Sequence, residues 1–66
     1  MGREEIKNYL LYYRDRFGSS VTWMAEKLNI NRATLSIFLN DTRETKDFVV
    51  EKIRKNLINL PTKLDD

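Results

Sequence analysis

The segment from Val21 to Asn40 constrains this chain more than any other part of it. Two short stretches of helical periodicity are joined there by Asn29-Ile30-Asn31. Neither stretch is long enough to persist as a helix alone in water, so each must be held by packing against the other. That packing makes narrow demands. A small residue is needed where the two helices cross, and Ala25 supplies it. A residue that tolerates positive φ is needed at the turn, and Asn29 is the best suited there. Ile30 can tuck beneath the turn, and Asn31 can cap the helix that follows. Met24 and Leu28 before the turn, and Leu35 and Phe38 after it, supply the buried positions.

The rest of the chain reads as helical support for this unit. Ile6, Tyr9, Leu10, Tyr13 and Phe17 recur at helical spacing and predict a first helix from about Arg3 to Phe17. Glu4 and Glu5 suit the positive end of its dipole. Gly18 ends it as a residue free to turn left-handed. A second helix is expected over about Val21 to Leu28, capped by Ser19 or Ser20. The third covers about Arg32 to Asn40, with Leu35, Phe38 and Leu39 on its buried side and Arg32, Ala33, Ser36 and Ile37 on the other. A polar loop at Asn40-Asp41 follows. A fourth helix is expected from about Lys46 to Asn59, capped by Thr45, with Val49, Val50, Ile53, Leu57 and Leu60 turned inward. Pro61 blocks its continuation.

There is one proline and two glycines, and no alternating strand pattern. The expected fold class is therefore all-α: a compact domain of four helices, or five, over residues 1–60, with 61–66 as a loose tail. At 66 residues the core is thin; a chain of this size buries only about 60% of its unfolded surface. Neither Cys nor His occurs, so disulfides, thiolate nucleophiles and the usual zinc ligands are excluded. The 41% hydrophobic and 33% charged content is that of a soluble globular domain rather than a disordered one. No apolar run could span a bilayer. The N-terminus lacks a secretory apolar region, and Ile6 stands where a myristoylation signal needs Ser or Thr. A cytoplasmic setting is expected.

The stretch VTWMAEKLNINRATLSIFLN, from Val21 to Asn40, resembles the helix-turn-helix of the Cro and phage-repressor family (lambda-repressor-like, XRE type). With the flanking helices the resemblance covers about residues 3 to 60. Asn29 and Asp41 stand where many members carry Gly. Val21 replaces a polar residue that touches DNA phosphate in many members, which leaves its backbone N–H for that role. The resemblance implies a lambda-repressor-like domain whose third helix lies in the major groove of double-stranded DNA.

The residues agree with that implication. Arg32 can bond bidentately to guanine, Ala33 and Ile37 can meet a thymine methyl or allow close approach, and Ser36 can bond a base edge. Phosphate contacts are expected from Ser20, Thr22, Asn31, Thr34, Asn40, Thr42, Arg43 and Lys46, which lie at helix starts, on the third helix or in the loop after it. The net charge of +2 adds only weak support for a polyanionic partner.

Several residues admit two readings. Trp23 falls opposite Val21, Met24 and Leu28, so it packs along the rim of the first helix or the loop, bonds the DNA backbone through its indole N–H, or meets a partner. Tyr9, Tyr12, Tyr13 and Phe17 read as core, with base stacking as the alternative. Phe48, Ile58 and Leu11 lie off the core faces and form either scattered apolar surface or the contact of a homodimer.

The expected function is that of a repressor-like transcription regulator, binding a palindromic operator as a dimer. The alternative is a protein-interaction module, an adaptor or antirepressor, that reuses the fold. No enzyme, cofactor, metal or small-molecule ligand is expected, because no carboxylates or lysines are grouped for acid–base work in a pocket.

Overall fold

Three backbone positions divide the first forty residues into helices. Gly18 adopts φ 66° and its N–H donates to the Arg14 carbonyl at 2.8 Å, which stops α1 (Arg3–Phe17). Asn29 adopts φ 60° and stops α2 (Val21–Leu28). There the Asn29 N–H donates to Glu26 and the Ile30 N–H reaches back to Ala25 at 3.0 Å. This paired closure satisfies two carbonyls at the helix end and turns Ile30 toward the core. Asn31 then opens α3 (Arg32–Asn40), its Oδ1 accepting the Ala33 N–H at 2.7 Å. Of the two candidate serines, Ser20 caps α2, accepting the Trp23 N–H at 3.0 Å. The computed structural model describes residues 2–61; the tail expected over 62–66 lies outside the described residues.

The protein is an all-α domain of four helices, with no strand among the described residues. α2 packs on α3 and α4, and α1 packs across α3. One core joins them: Ile6, Leu10 and Tyr13 from α1, Met24, Ala25 and Leu28 from α2, Leu35 and Phe38 from α3, with Val50, Ile53 and Leu60 behind. Ala25, the small residue of α2, is buried in this core. No helix among the described residues is long and apolar enough to cross a membrane.

The region between α3 and α4 differs from expectation. A 3-10 turn, Thr42–Glu44, follows α3 and is opened by Asp41, whose carboxylate accepts the Arg43 N–H at 3.1 Å. α4 runs Asp47–Asn56 with Lys46, not Thr45, at its N-cap. Thr45 is buried at the end of the 3-10 turn instead. The cause lies far away in sequence. Arg3 at the start of α1 sends Nη1 to the carbonyls of Thr42 and Thr45, each at 2.6 Å, and pairs through Nη2 with Asp47. The guanidinium thereby satisfies the Thr45 carbonyl, adds a second donor to the Thr42 carbonyl that already accepts the Thr45 N–H at 3.3 Å, and fixes the turn to α1.

α4 also ends earlier than its apolar pattern suggests. Leu57–Asn59 forms a second 3-10 turn before Pro61. Asn56 donates to the Leu28 carbonyl at 3.0 Å and Asn59 to the Lys27 carbonyl at 3.1 Å. These side chains meet carbonyls that the short α2 leaves without helical partners.

The aromatic cluster is structural. Tyr13 is buried, and Tyr9 and Phe17 pack beside it. Tyr13 and Phe17 meet edge to face at 4.6 Å. Burial raises the Tyr13 phenol above its ordinary range, and its hydroxyl donates to the Pro61 carbonyl. Tyr12 is the exception and faces solvent. Trp23 takes the packing role: its ring stacks on Tyr13 with centroids 6.3 Å apart, and Lys27 Nζ sits 5.4 Å from its centroid.

Candidate nucleic-acid interface

Burial of Leu35 and Phe38 fixes the rotation of α3, and rotation decides what it presents. Arg32, Ala33, Ser36, Ile37 and Asn40 are all exposed. Arg32, Ala33 and Ser36 line a cleft with Val21, the first residue of α2. One turn further along, Ser36, Ile37 and Asn40 line a second cleft with Val21 and Arg14. On the other flank, Ile37 and Thr34 share a groove with Lys46 and Phe48 at the start of α4. The outer face of α3 is thus a ridge between the N-termini of two other helices.

The polar residues around the ridge are not equivalent. Ser20 uses its oxygen to accept the Trp23 N–H and keeps its hydroxyl proton for an outside acceptor. Asn31 likewise accepts through Oδ1 and leaves its amide N–H₂ to donate. Thr22 and Lys46 are exposed, and Thr34 is half-buried.

Arg43 is exposed but engaged: its Nε lies 3.3 Å from Asp41 Oδ1. The Arg43 side chain and backbone N–H hold the Asp41 carboxyl below its usual range, and Asp41 in turn raises the Arg43 guanidinium.

Thr42 does not belong to this surface. It is 2% exposed, and its hydroxyl donates to Glu4 Oε2 at 3.0 Å. The Thr42 bond also contributes, after Lys7, to holding the Glu4 carboxyl below its usual range. The phosphate contact expected from the Thr42 side chain is therefore withdrawn: the hydroxyl is a structural group facing α1.

Arg14 is the residue that sequence reasoning missed. It lies in the last turn of α1, where a basic residue reads as a helix-dipole partner. The fold brings it beside Ser36 and Asn40. Its position next to Leu11 offered only a faint signal, since Leu11 falls off the main apolar face of α1.

The residues considered for a dimer contact separate. Ile58 is 87% and Phe48 69% exposed. Leu11 is half-buried in the cleft beside Arg14, whereas Phe48 borders the groove beside Lys46, and Ile58 lines neither. Leu11 thus lies apart from Phe48 and adjoins the α3 ridge.

No group of acidic, His or Cys side chains among the described residues could hold a metal ion. Compared with known proteins, the chain matches no family model, no curated protein and no solved structure.

Proposed function

We propose that this chain is a lambda-repressor-like, sequence-specific double-stranded DNA-binding regulator that acts by binding alone. The observation that carries the reading is the outer face of α3. Arg32, Ala33, Ser36, Ile37 and Asn40 project from one short helix whose opposite side is the domain core. A helix so mounted can enter a major groove about 12 Å wide. Arg32 reads guanine, Ser36 a base edge, and Ala33 and Ile37 a thymine methyl. Ser20, Thr22, Asn31, Thr34, Asn40, Arg43 and Lys46 hold the backbone on either side, with Arg14 added to them. The dimer and its palindromic operator belong to the same proposal, as does a cytoplasmic setting.

The test separates reading from holding. Arg32→Ala should relax discrimination at one base position, by about 1–3 kcal/mol, while Arg43→Ala should weaken binding to all duplexes alike. Electrophoretic shift on single-base variants of a selected site distinguishes the two patterns. Loss of neither kind in either variant contradicts the reading.

One observation favours a second reading, an adaptor or antirepressor module. Ile37, 50% exposed, and Phe48 border the same groove, so apolar surface lies across the end of the ridge. A single stoichiometric protein partner, together with no salt-sensitive binding to DNA, is the result that selects it.

A further inference from the structure

The solvent face of α4 has its charges sorted along its length. Val50 and Ile53 are buried, and Val49 and Leu57 half-buried. At about 100° per residue, the opposite face centres on Phe48 and Lys55, with Glu51 and Lys52 between them. Those side chains border one shallow depression. The acidic groups, Asp47 and Glu51, occupy the first half of the helix, and the basic ones, Lys52, Arg54 and Lys55, the second. Glu51 pairs with Arg54 one turn along. Lys52 and Lys55 make no ion pair among the described residues.

We propose that this face binds the same face of a second copy of the chain, antiparallel, about a two-fold axis between Glu51 and Lys52. The inference names the contact of the dimer in the proposed function, and rests on that dimer but not on its DNA contacts. In this arrangement Glu51 faces Lys52 of the partner subunit, and Phe48 lies over the alkyl stem of Lys55 of the partner subunit. Both contacts occur twice, as an isologous interface requires. Parallel pairing in the same register sets lysine against lysine and acid against acid. Antiparallel pairing also opposes the two helix dipoles.

The size of the face sets the strength. α4 has ten residues, about 15 Å of helix. One side of it offers much less than the ~800 Å² per partner of a standard stable interface. The dimer is therefore weak in free solution, with a Kd tighter than about 1 mM, and two adjacent half-sites on DNA hold it together by effective concentration.

Amide NMR of the full chain without DNA, on dilution from about 1 mM, tests this. Concentration-dependent shifts should centre on the solvent face of α4. Glu51→Lys and Lys52→Glu should each abolish them by placing like charges opposite one another. An equimolar mixture of the two variants should restore them, because the mixed pair is complementary at both contacts. The amide spectra themselves report that each variant remains folded. Shifts that do not depend on concentration, that centre on another face, or that survive either single charge change overturn the proposal. A monomer that still binds a selected duplex leaves the DNA reading intact; a dimer through α4 that binds no duplex removes only that reading.

Discussion

Arg3 and Thr42 are joined across 39 positions of sequence by a bond of 2.6 Å from a guanidinium nitrogen to a main-chain carbonyl. The same nitrogen reaches the Thr45 carbonyl, so a single side chain holds the link between the α3 ridge and α4. The position of Arg43 and Lys46 relative to the ridge depends on that link.

Replacing Arg3 with Ala leaves both carbonyls without this donor and removes the pair with Asp47. Hydrogen bonds to a charged group contribute about 1.5–3 kcal/mol each when partly buried. Arg3 is only partly buried, so the lower end applies. For the two carbonyl bonds together the expected loss on Arg3→Ala is about 3 kcal/mol in urea unfolding, with an unchanged m-value. Arg3→Lys should recover less than half of it, because an ammonium cannot present the guanidinium fork. An unchanged midpoint for Arg3→Ala shows that the bonds do not hold the turn.

Thr45 yields the opposite sign. Its Oγ1 is buried and makes no hydrogen bond among the described residues, while its extended backbone suits a β-branched side chain. Thr45→Val keeps the shape and removes a hydroxyl taken from water without compensation. A gain of about 1 kcal/mol is expected, a rise in Tm of about 4–8 °C for a domain of this size. A lower Tm shows that the hydroxyl has a partner in solution.

Asp41 restrains Arg43, and charge removal there should act on DNA binding. Asp41→Asn keeps a side-chain oxygen to accept the Arg43 N–H but turns the ion pair made to the guanidinium at that same oxygen into a weaker neutral contact and removes a negative charge near the ridge. Affinity for every duplex should rise, and the gain should shrink as salt is added. Stability should change with pH as well. The Asp41 carboxyl is held below its usual range, first by the Arg43 side chain. Its contribution is therefore complete above the ordinary carboxylate range and is lost as pH falls through the lowered value. The variant should lack that component of acid destabilisation. Equal affinity of variant and wild type at low salt contradicts the restraint.

The limits of α1, α2 and α3 were legible because local chemistry sets them. Gly18 and Asn29 take the left-handed conformation that their sequence positions suggest, and Asn31 caps with its own side chain. The link from Thr42 to Lys46 was not legible, because Arg3 determines it from the other end of the chain. Thr42 reads as an exposed loop hydroxyl until Glu4 is placed against it. Asn56 and Asn59 read as ordinary helix positions until the end of α2 arrives beside them. The outward face of α3 could be read from periodicity, whereas the neighbourhood of Arg14 and Ser36 depends on how α1 packs across α3.

The most direct test of the central claim is selection of bound duplexes from a random pool, followed by salt titration on the selected site. The account predicts a two-fold symmetric consensus, with log affinity falling against log salt by about 0.9 per phosphate contacted, and loss of preference at one position per half-site in Arg32→Ala. A pool that yields no enriched sequence, or binding that ignores salt, contradicts it.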